Sequence, residues 1–226
     1  MAAPTLDDNF HLPLSPEALQ EVRELQQESL HLMLQPEDID QWVYPWGTKY
    51  TSSKYYQFCF RNIFPHEAYK WIWKSKCTPK IKFFCWLLFS DRLNTRNMLR
   101  RKKFIIQGSY NCPMCQLQTE ETIEHLFFKC PFGVDCWSKL NITWGAQINR
   151  LDLVSTAKQN YHHPMFMEVF MVGAWSIWKE RNNLIFNGIN PNTESWKTRF
   201  ITDFTLLVHR TKEDLHPFIV NLVGQL

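Results

Sequence analysis

Cys112, Cys115, His125 and Cys130 place three thiols and one imidazole within nineteen residues. Thiolate sulfur and neutral imidazole nitrogen are the donors that Zn²⁺ favours, and four of them complete a tetrahedron. A complete protein ligand set leaves no position at which the metal can activate water, so the expected role is one structural zinc and no metal catalysis. The Cys112-Pro113-Met114-Cys115 spacing suits a tight knuckle, and Glu120–Phe128 reads as a short helix that presents His125. Cys130 then follows just past that helix, with Pro131 as a stop signal. The competing reading is three buried thiols and an unrelated helix histidine. A disulfide framework suits the chain poorly, because seven cysteines is an odd count and the N-terminus carries no secretion signal. Cys136 reads as a small core residue, and Cys59, Cys77 and Cys85 as buried or partly buried thiols. His162 and His163 are adjacent, so their rings diverge and do not suit a shared metal.

The second chemical signal is charge. Residues 74–103 hold ten Lys or Arg and one Asp, whereas residues 1–40 hold nine Asp or Glu and one Arg. The net charge of +3 hides this asymmetry. Lys80, Lys82, Arg92, Arg96, Arg100, Arg101, Lys102 and Lys103 are the candidate phosphate contacts, and Arg96 and Arg100 share a helix face. Such contacts would hold RNA or DNA with salt-dependent affinity and without sequence specificity. The plainer reading of the same charges is a solvated helix face. Aromatic residues could stack on bases, but Trp73, Trp86 and Trp178 fall where helices need apolar faces and are assigned to the core.

Catalytic patterns are missing together. No Gly-x-Ser-x-Gly elbow occurs, and seven glycines do not supply a phosphate-cradling loop. No enzyme is expected. The apolar runs Ile81–Phe89 and Phe170–Trp178 are too short or too interrupted to span a bilayer, so no membrane contact is expected. The first residues are neither Arg-rich nor acid-poor, unlike a transit peptide. Thiolates on zinc suit a reducing interior, and the expected location is intracellular, in nucleus or cytoplasm.

The elements that must position these residues are helices. Hydrophobic residues make up 45% of the chain and Asn-Gly occurs once, at 187–188, so an all-α fold is expected: an irregular helical bundle with an embedded Cys3His zinc knuckle. Ser15-Pro16-Glu17 starts a helix that runs to about Leu34, where Gln35-Pro36 ends it. Thr51 caps a helix to about Phe60 with Tyr55 and Phe58 inward. Further helices are expected over 67–74, 79–89, 95–103, 132–140, 165–186 and 194–210, with the apolar 79–89 helix central. Residues 141–162 read as a loop with one weak helix, and from Lys212 the chain either folds back or frays.

Several of these segments, taken in order, resemble a known family. Trp73-Lys74, the stretch Pro79–Leu87, the stretch Arg92–Leu99, Cys112-Pro113-Met114-Cys115, the stretch Glu121–Cys130, and Trp137 are similar to the zinc-binding domain of plant non-LTR (LINE-type) retrotransposon reverse transcriptases. The resemblance covers about residues 50–140. Asp38–Tyr56 looks like the stretch preceding that domain, and Trp175–Phe186 like the connector following it. The implied division is 1–49, an acidic helix and linker; 50–140, the zinc-binding domain; and 141–226, a helical connector region. The Tyr-x-Asp-Asp hairpin of a polymerase and the acidic cluster of an RNase H are missing, and Asp7-Asp8 is no substitute. The resemblance therefore implies a stand-alone, non-catalytic fragment that binds nucleic acid beside a structural zinc. The alternative is a repurposed protein-interaction factor that regulates or poisons a host process, with a partner held by residues 1–40 or 165–210.

Overall fold

The computed structural model describes residues 14–29, 43–47, 49–146 and 149–226. The expected end of the first helix at Leu34, the Gln35-Pro36 break and the Asp7-Asp8 pair lie outside these residues. Among the described residues the chain is helical, and its extended pairing is confined to two isolated bridges, Tyr44 with Gly47 and Asn111 with Glu120. The chain divides into two compact units, Met1–Ile63 and Phe64–Leu226.

The first unit contains α1 (Pro16–Ser29) and α2 (Ser52–Cys59). The Ser15 hydroxyl accepts the Ala18 N–H (3.2 Å), and the Thr51 hydroxyl accepts that of Lys54 (3.2 Å), so both expected caps form. Trp46 gathers Tyr44, Tyr50, Tyr55 and Phe58 around it, with ring centroids 5.4–6.3 Å apart. Tyr55 nevertheless remains 49% exposed, not inward as the sequence suggested, and Cys59 is exposed as well. The reason is length: two turns of helix bury no side chain completely in so small a unit.

The second unit is built around α8 (Phe166–Asn187). Every residue from Phe166 to Ala174 is buried, because α4 (Pro79–Phe89), α6 (Pro131–Ser138), α7 (Arg150–Tyr161) and α9 (Thr193–Thr205) surround it. The centre is thus α8, not the 79–89 helix. α4 buries one stripe, Ile81, Phe84, Cys85, Leu88 and Phe89, and leaves Phe83 exposed. α3 (Glu67–Lys74) turns Ala68 and Ile72 inward, which carries Trp73, one position further round the helix, into solvent. Trp73 is therefore not a core residue, and Trp86 and Trp178 are only partly buried.

Residues 150–161 form a full helix, started by the Asn149 side chain accepting the Leu151 N–H (2.9 Å). The C-terminal stretch folds back as α10 (His216–Gln225), which buries Ile219 and Leu222 and packs on α9. His163 is spent on this closure: its ring stacks on Phe218 at 3.5 Å, and its Nδ1 accepts the Met165 N–H.

Gly173 sets the closest approach in this unit. The ring of Trp137 lies directly over it, and its carbonyl accepts the indole N–H of Trp196 (3.2 Å). Trp137 in turn stacks on Phe170 (5.5 Å) and donates to the Phe127 carbonyl (2.6 Å), which ties α6 and α8 to the chain just before Cys130. A methyl group at Gly173 would meet the Trp137 ring at 2.7 Å and Leu140 at 3.2 Å. Alanine is the better helix former by about 1 kcal/mol, yet overpacking of this kind costs about 1–3 kcal/mol. Gly173→Ala is expected to lower the urea midpoint, whereas a propensity-dominated site would raise it.

Candidate metal centre

The four ligand candidates come from three short structures. Residues 110–121 form a minimal hairpin: the Cys112 N–H donates to Thr119 (2.8 Å), and the Glu121 N–H to Tyr110 (3.0 Å). Its tip carries Cys112 and Cys115. The backbone of Met114 hydrogen-bonds to the Cys112 sulfur, and that of Leu117 to the Cys115 sulfur. Each Cys thus finds a donor two residues ahead of it, the local geometry that a Cys-x-x-Cys turn imposes.

His125 opens one π-type turn, His125–Lys129, closed by the Cys130 N–H on the His125 carbonyl (2.6 Å). In a regular α-helix, side chains five apart diverge by about 140°. The wider turn, followed by extended backbone at Cys130 (φ −64°, ψ 131°), returns the Cys130 sulfur toward the histidine. Cys130 also stands at the N-terminus of α6, where the N–H groups of Phe132 and Gly133 reach its sulfur. Gly133 is required here, since a Cβ would lie 2.8 Å from the Leu126 carbonyl oxygen.

All four donor atoms lie within 4.8 Å of one another. Cys112 Sγ is 3.9 Å from Cys130 Sγ, and Cys115 Sγ is 3.3 Å from His125 Nε2. A zinc tetrahedron with sulfur at about 2.3 Å and nitrogen at about 2.0 Å sets its donors roughly 3.5–3.8 Å apart. The two shortest separations match that tetrahedron to within tenths of an ångström and no pair exceeds it by more than about 1 Å, so the site fits one Zn²⁺, held through His125 Nε2. Cys112, Cys130 and His125 are buried, and Cys115 is partly exposed. Cys136 is buried in the core and takes no part in the cluster.

Electrostatics divides the three thiols. Cys130 is pushed down to about 6 by the hydrogen bond from Cys112, with the α6 N–H groups adding to the effect against burial. Cys112 is pushed up, first by giving that hydrogen bond and then by burial; Cys115 is pushed up chiefly by burial. Of the three sulfurs, Cys130 is thus the one that gives up its proton most readily.

A ring of polar contacts holds this lobe in place. Glu121 is fully buried and takes both forks of Arg181, at 2.7 Å each, while also accepting the Arg96 N–H (2.7 Å) at the start of α5 (Arg96–Arg101). Arg181 further lies 4.7 Å from the Trp178 ring centroid. Neither Glu121 nor Glu124 serves His125; Glu124 pairs with Arg150. Glu121 and Arg181 are sixty residues apart, and the signal for them was a charged residue on the most buried helix.

The basic residues fare unevenly. Arg96 donates to the carbonyls of Ser109 (3.0 Å) and Asn111 (2.9 Å), bracing the hairpin. Arg100 pairs with Glu120 (3.0 Å) and Arg101 with Asp91 (2.5 Å), both partly exposed. Lys102 donates to Asn94 (2.9 Å), Lys82 to the Trp73 carbonyl (2.9 Å), and Lys80 lies 5.1 Å from the Trp175 ring centroid. Arg92 and Lys103 are exposed and form no ion pair among the described residues.

Residues 50–137 match the family described as zinc-binding in reverse transcriptase. This match includes all four metal ligands and well under half of the chain. Comparison with curated proteins and with solved structures gave no match. The zinc-binding segment ends inside α6, so α8, which supplies Arg181, lies beyond it. Among the described residues, no helix is long and apolar enough to cross a membrane.

Purified protein is expected to carry one equivalent of zinc by elemental analysis, and Cys130→Ser to lose most of it together with thermal stability; full zinc retention in the variant would exclude Cys130 as a ligand. The thiol environments give a second expectation. The hydrogen bond within the Cys112–Cys130 pair favours the thiolate on Cys130 and disfavours it on Cys112, so zinc binding should release fewer than three thiol protons near neutral pH. Affinity should fall as pH falls, because protons compete for the same sulfurs. Calorimetry in buffers of different ionisation enthalpy reads this number directly.

Proposed function

We propose that the chain is a non-catalytic nucleic-acid-binding module whose zinc orders a platform for basic residues. The observation that carries this reading is the joint between α5 and the zinc hairpin: Arg96 and Asn97 at the start of α5 bind the hairpin backbone, so the metal fixes the direction of that helix. The outer cations on either side of it, Arg92 and Lys103, face solvent without an ion pair, while Arg100 and Arg101 are exposed but paired with Glu120 and Asp91. Phosphate contacts from such residues position a nucleic acid without reading its bases. Lys82, Lys102 and above all Arg96 are occupied internally, so they act as braces in this scheme and the contact set contracts to the outer cations and Lys80.

The closed ligand set supports a structural metal, and the similarity of residues 50–137 to a reverse transcriptase accessory domain supports a nucleic-acid setting. We place its origin in a plant retrotransposon. A role in protein interaction is the second reading, favoured by Phe104 and Ile105, which are 60% and 96% exposed directly after α5. That apolar pair would suit a protein partner better than a phosphate backbone.

Fluorescence anisotropy with labelled RNA and DNA over a salt series tests the main reading. The logarithm of the affinity should fall linearly with the logarithm of salt concentration, and Arg92→Gln or Lys103→Gln should each reduce the slope by about 1. No binding at low salt, or binding indifferent to salt, counts against the proposal.

A further inference from the structure

Two adjoining cavities open along α4, α8 and the segment 92–107, and the larger reaches Pro113 of the zinc knuckle. The smaller, about 290 Å³, is walled by Phe83, Phe84, Trp175 and Trp178, with Lys80 and Arg92 also lining it. The larger, about 910 Å³, is lined in part by Asn94, Gln107 and Asn182. Asn94 and Trp178 belong to both walls, so the two form one groove. No carboxylate lines either part among the described residues.

The aromatic wall is ordered. Phe84 is wedged against Trp175 (5.1 Å) and Trp178 (6.3 Å), which fixes both indoles from beneath. Phe83 stacks on Trp86 at 5.6 Å with an interplanar angle of 27°, and is itself 55% exposed. The exposed Phe83 ring, stacked on Trp86 and continuous with the groove wall, extends the apolar face of the groove to its edge. A cation stands beside the rings and not apart from them: Lys80 lies 5.1 Å from the Trp175 centroid.

We infer that this groove binds single-stranded RNA, with bases stacked on the Phe83 and Trp175–Trp178 wall and phosphates held by Lys80 and Arg92. The inference rests on the nucleic-acid reading above and deepens it, extending the binding surface from the cations around α5 into the α4–α8 groove. Single strands are taken by alternating stacking faces and cations, and duplexes hide their base faces. An apolar peptide would be matched by the rings but not by a rim of two cations without a carboxylate. RNA is chosen over DNA because the larger part offers amide N–H groups, which a 2′-hydroxyl oxygen can accept and a deoxyribose cannot. Asn182 Oδ1 already accepts from Arg181 and Asn94 Oδ1 from Lys102, which leaves both amide N–H groups for a ligand.

The test uses the full zinc-loaded chain, a short fluorescein-labelled oligouridine, its deoxy counterpart, and anisotropy over a salt series. Phe83→Ala should weaken oligouridine roughly five- to hundredfold with the salt slope unchanged, whereas Arg92→Gln should lower the slope. Phe83→Tyr should restore affinity, and circular dichroism and zinc content of Phe83→Ala should match the parent, since this ring is largely outside the core. Parent protein that binds oligouridine while Phe83→Ala binds equally well overturns the groove but leaves the nucleic-acid reading standing. Parent protein that binds neither oligomer removes both. Equal affinity for the deoxy oligomer overturns the choice of RNA. Displacement of a groove-bound naphthalene sulfonate dye by an apolar helical peptide, but not by oligouridine, would give the groove to a protein partner instead.

Discussion

The carboxylate of Glu121 is the joint on which the second unit depends. It is fully buried, accepts both forks of Arg181 from α8, and accepts the first N–H of α5. A buried carboxylate is tolerated only when paired and hydrogen-bonded, and removing one partner of such a pair costs about 3–5 kcal/mol. Three pieces of chain therefore have no independent freedom: the hairpin that holds two metal ligands, the basic helix, and the central helix. The metal closes the hairpin onto the π-type turn, and the ion pair fastens that lobe to the helical body.

The division of labour between these two constraints follows from their reach. Zinc acts over a few ångströms and orders residues 112–130, which on their own bury little apolar surface. The ion pair acts across sixty residues of sequence and orients that lobe. Between them lies a layer of aromatic side chains, with Trp137 packed on Gly173 and bonded to the Phe127 carbonyl. Phe127 is two residues from His125 in sequence, so tight packing around α8 also holds the π-type turn in the shape that the ligand set needs.

This architecture places a cost on the basic surface. Arg96 would be an obvious phosphate contact by sequence, but its guanidinium holds two hairpin carbonyls. Releasing it would leave the Asn111 carbonyl unpaired in a partly buried site, which is unfavourable by about 1–3 kcal/mol. Positive charge close to a metal lobe thus serves first to hold the lobe, and the cations left for a ligand sit further out, at Arg92, Lys103 and Lys80.

The sequence by itself determined the metal chemistry and most helix starts. The Cys-x-x-Cys, His and Cys spacing encodes a local cage, and Ser15, Thr51 and Thr95 each act through atoms three residues away. Chemistry that close along the chain is legible without a fold. The tertiary structure alone decided which helix is central, which tryptophans are covered and which arginines are free. α4 and α8 are both apolar, and only the packing of four neighbours around α8 makes it the core. Trp73 and Trp178 are alike in sequence context, and one faces solvent while the other is partly covered because their neighbours arrive from distant parts of the chain. Burial and long-range pairing such as Glu121 with Arg181 are properties of the assembled surfaces, and no local pattern of residues carries them.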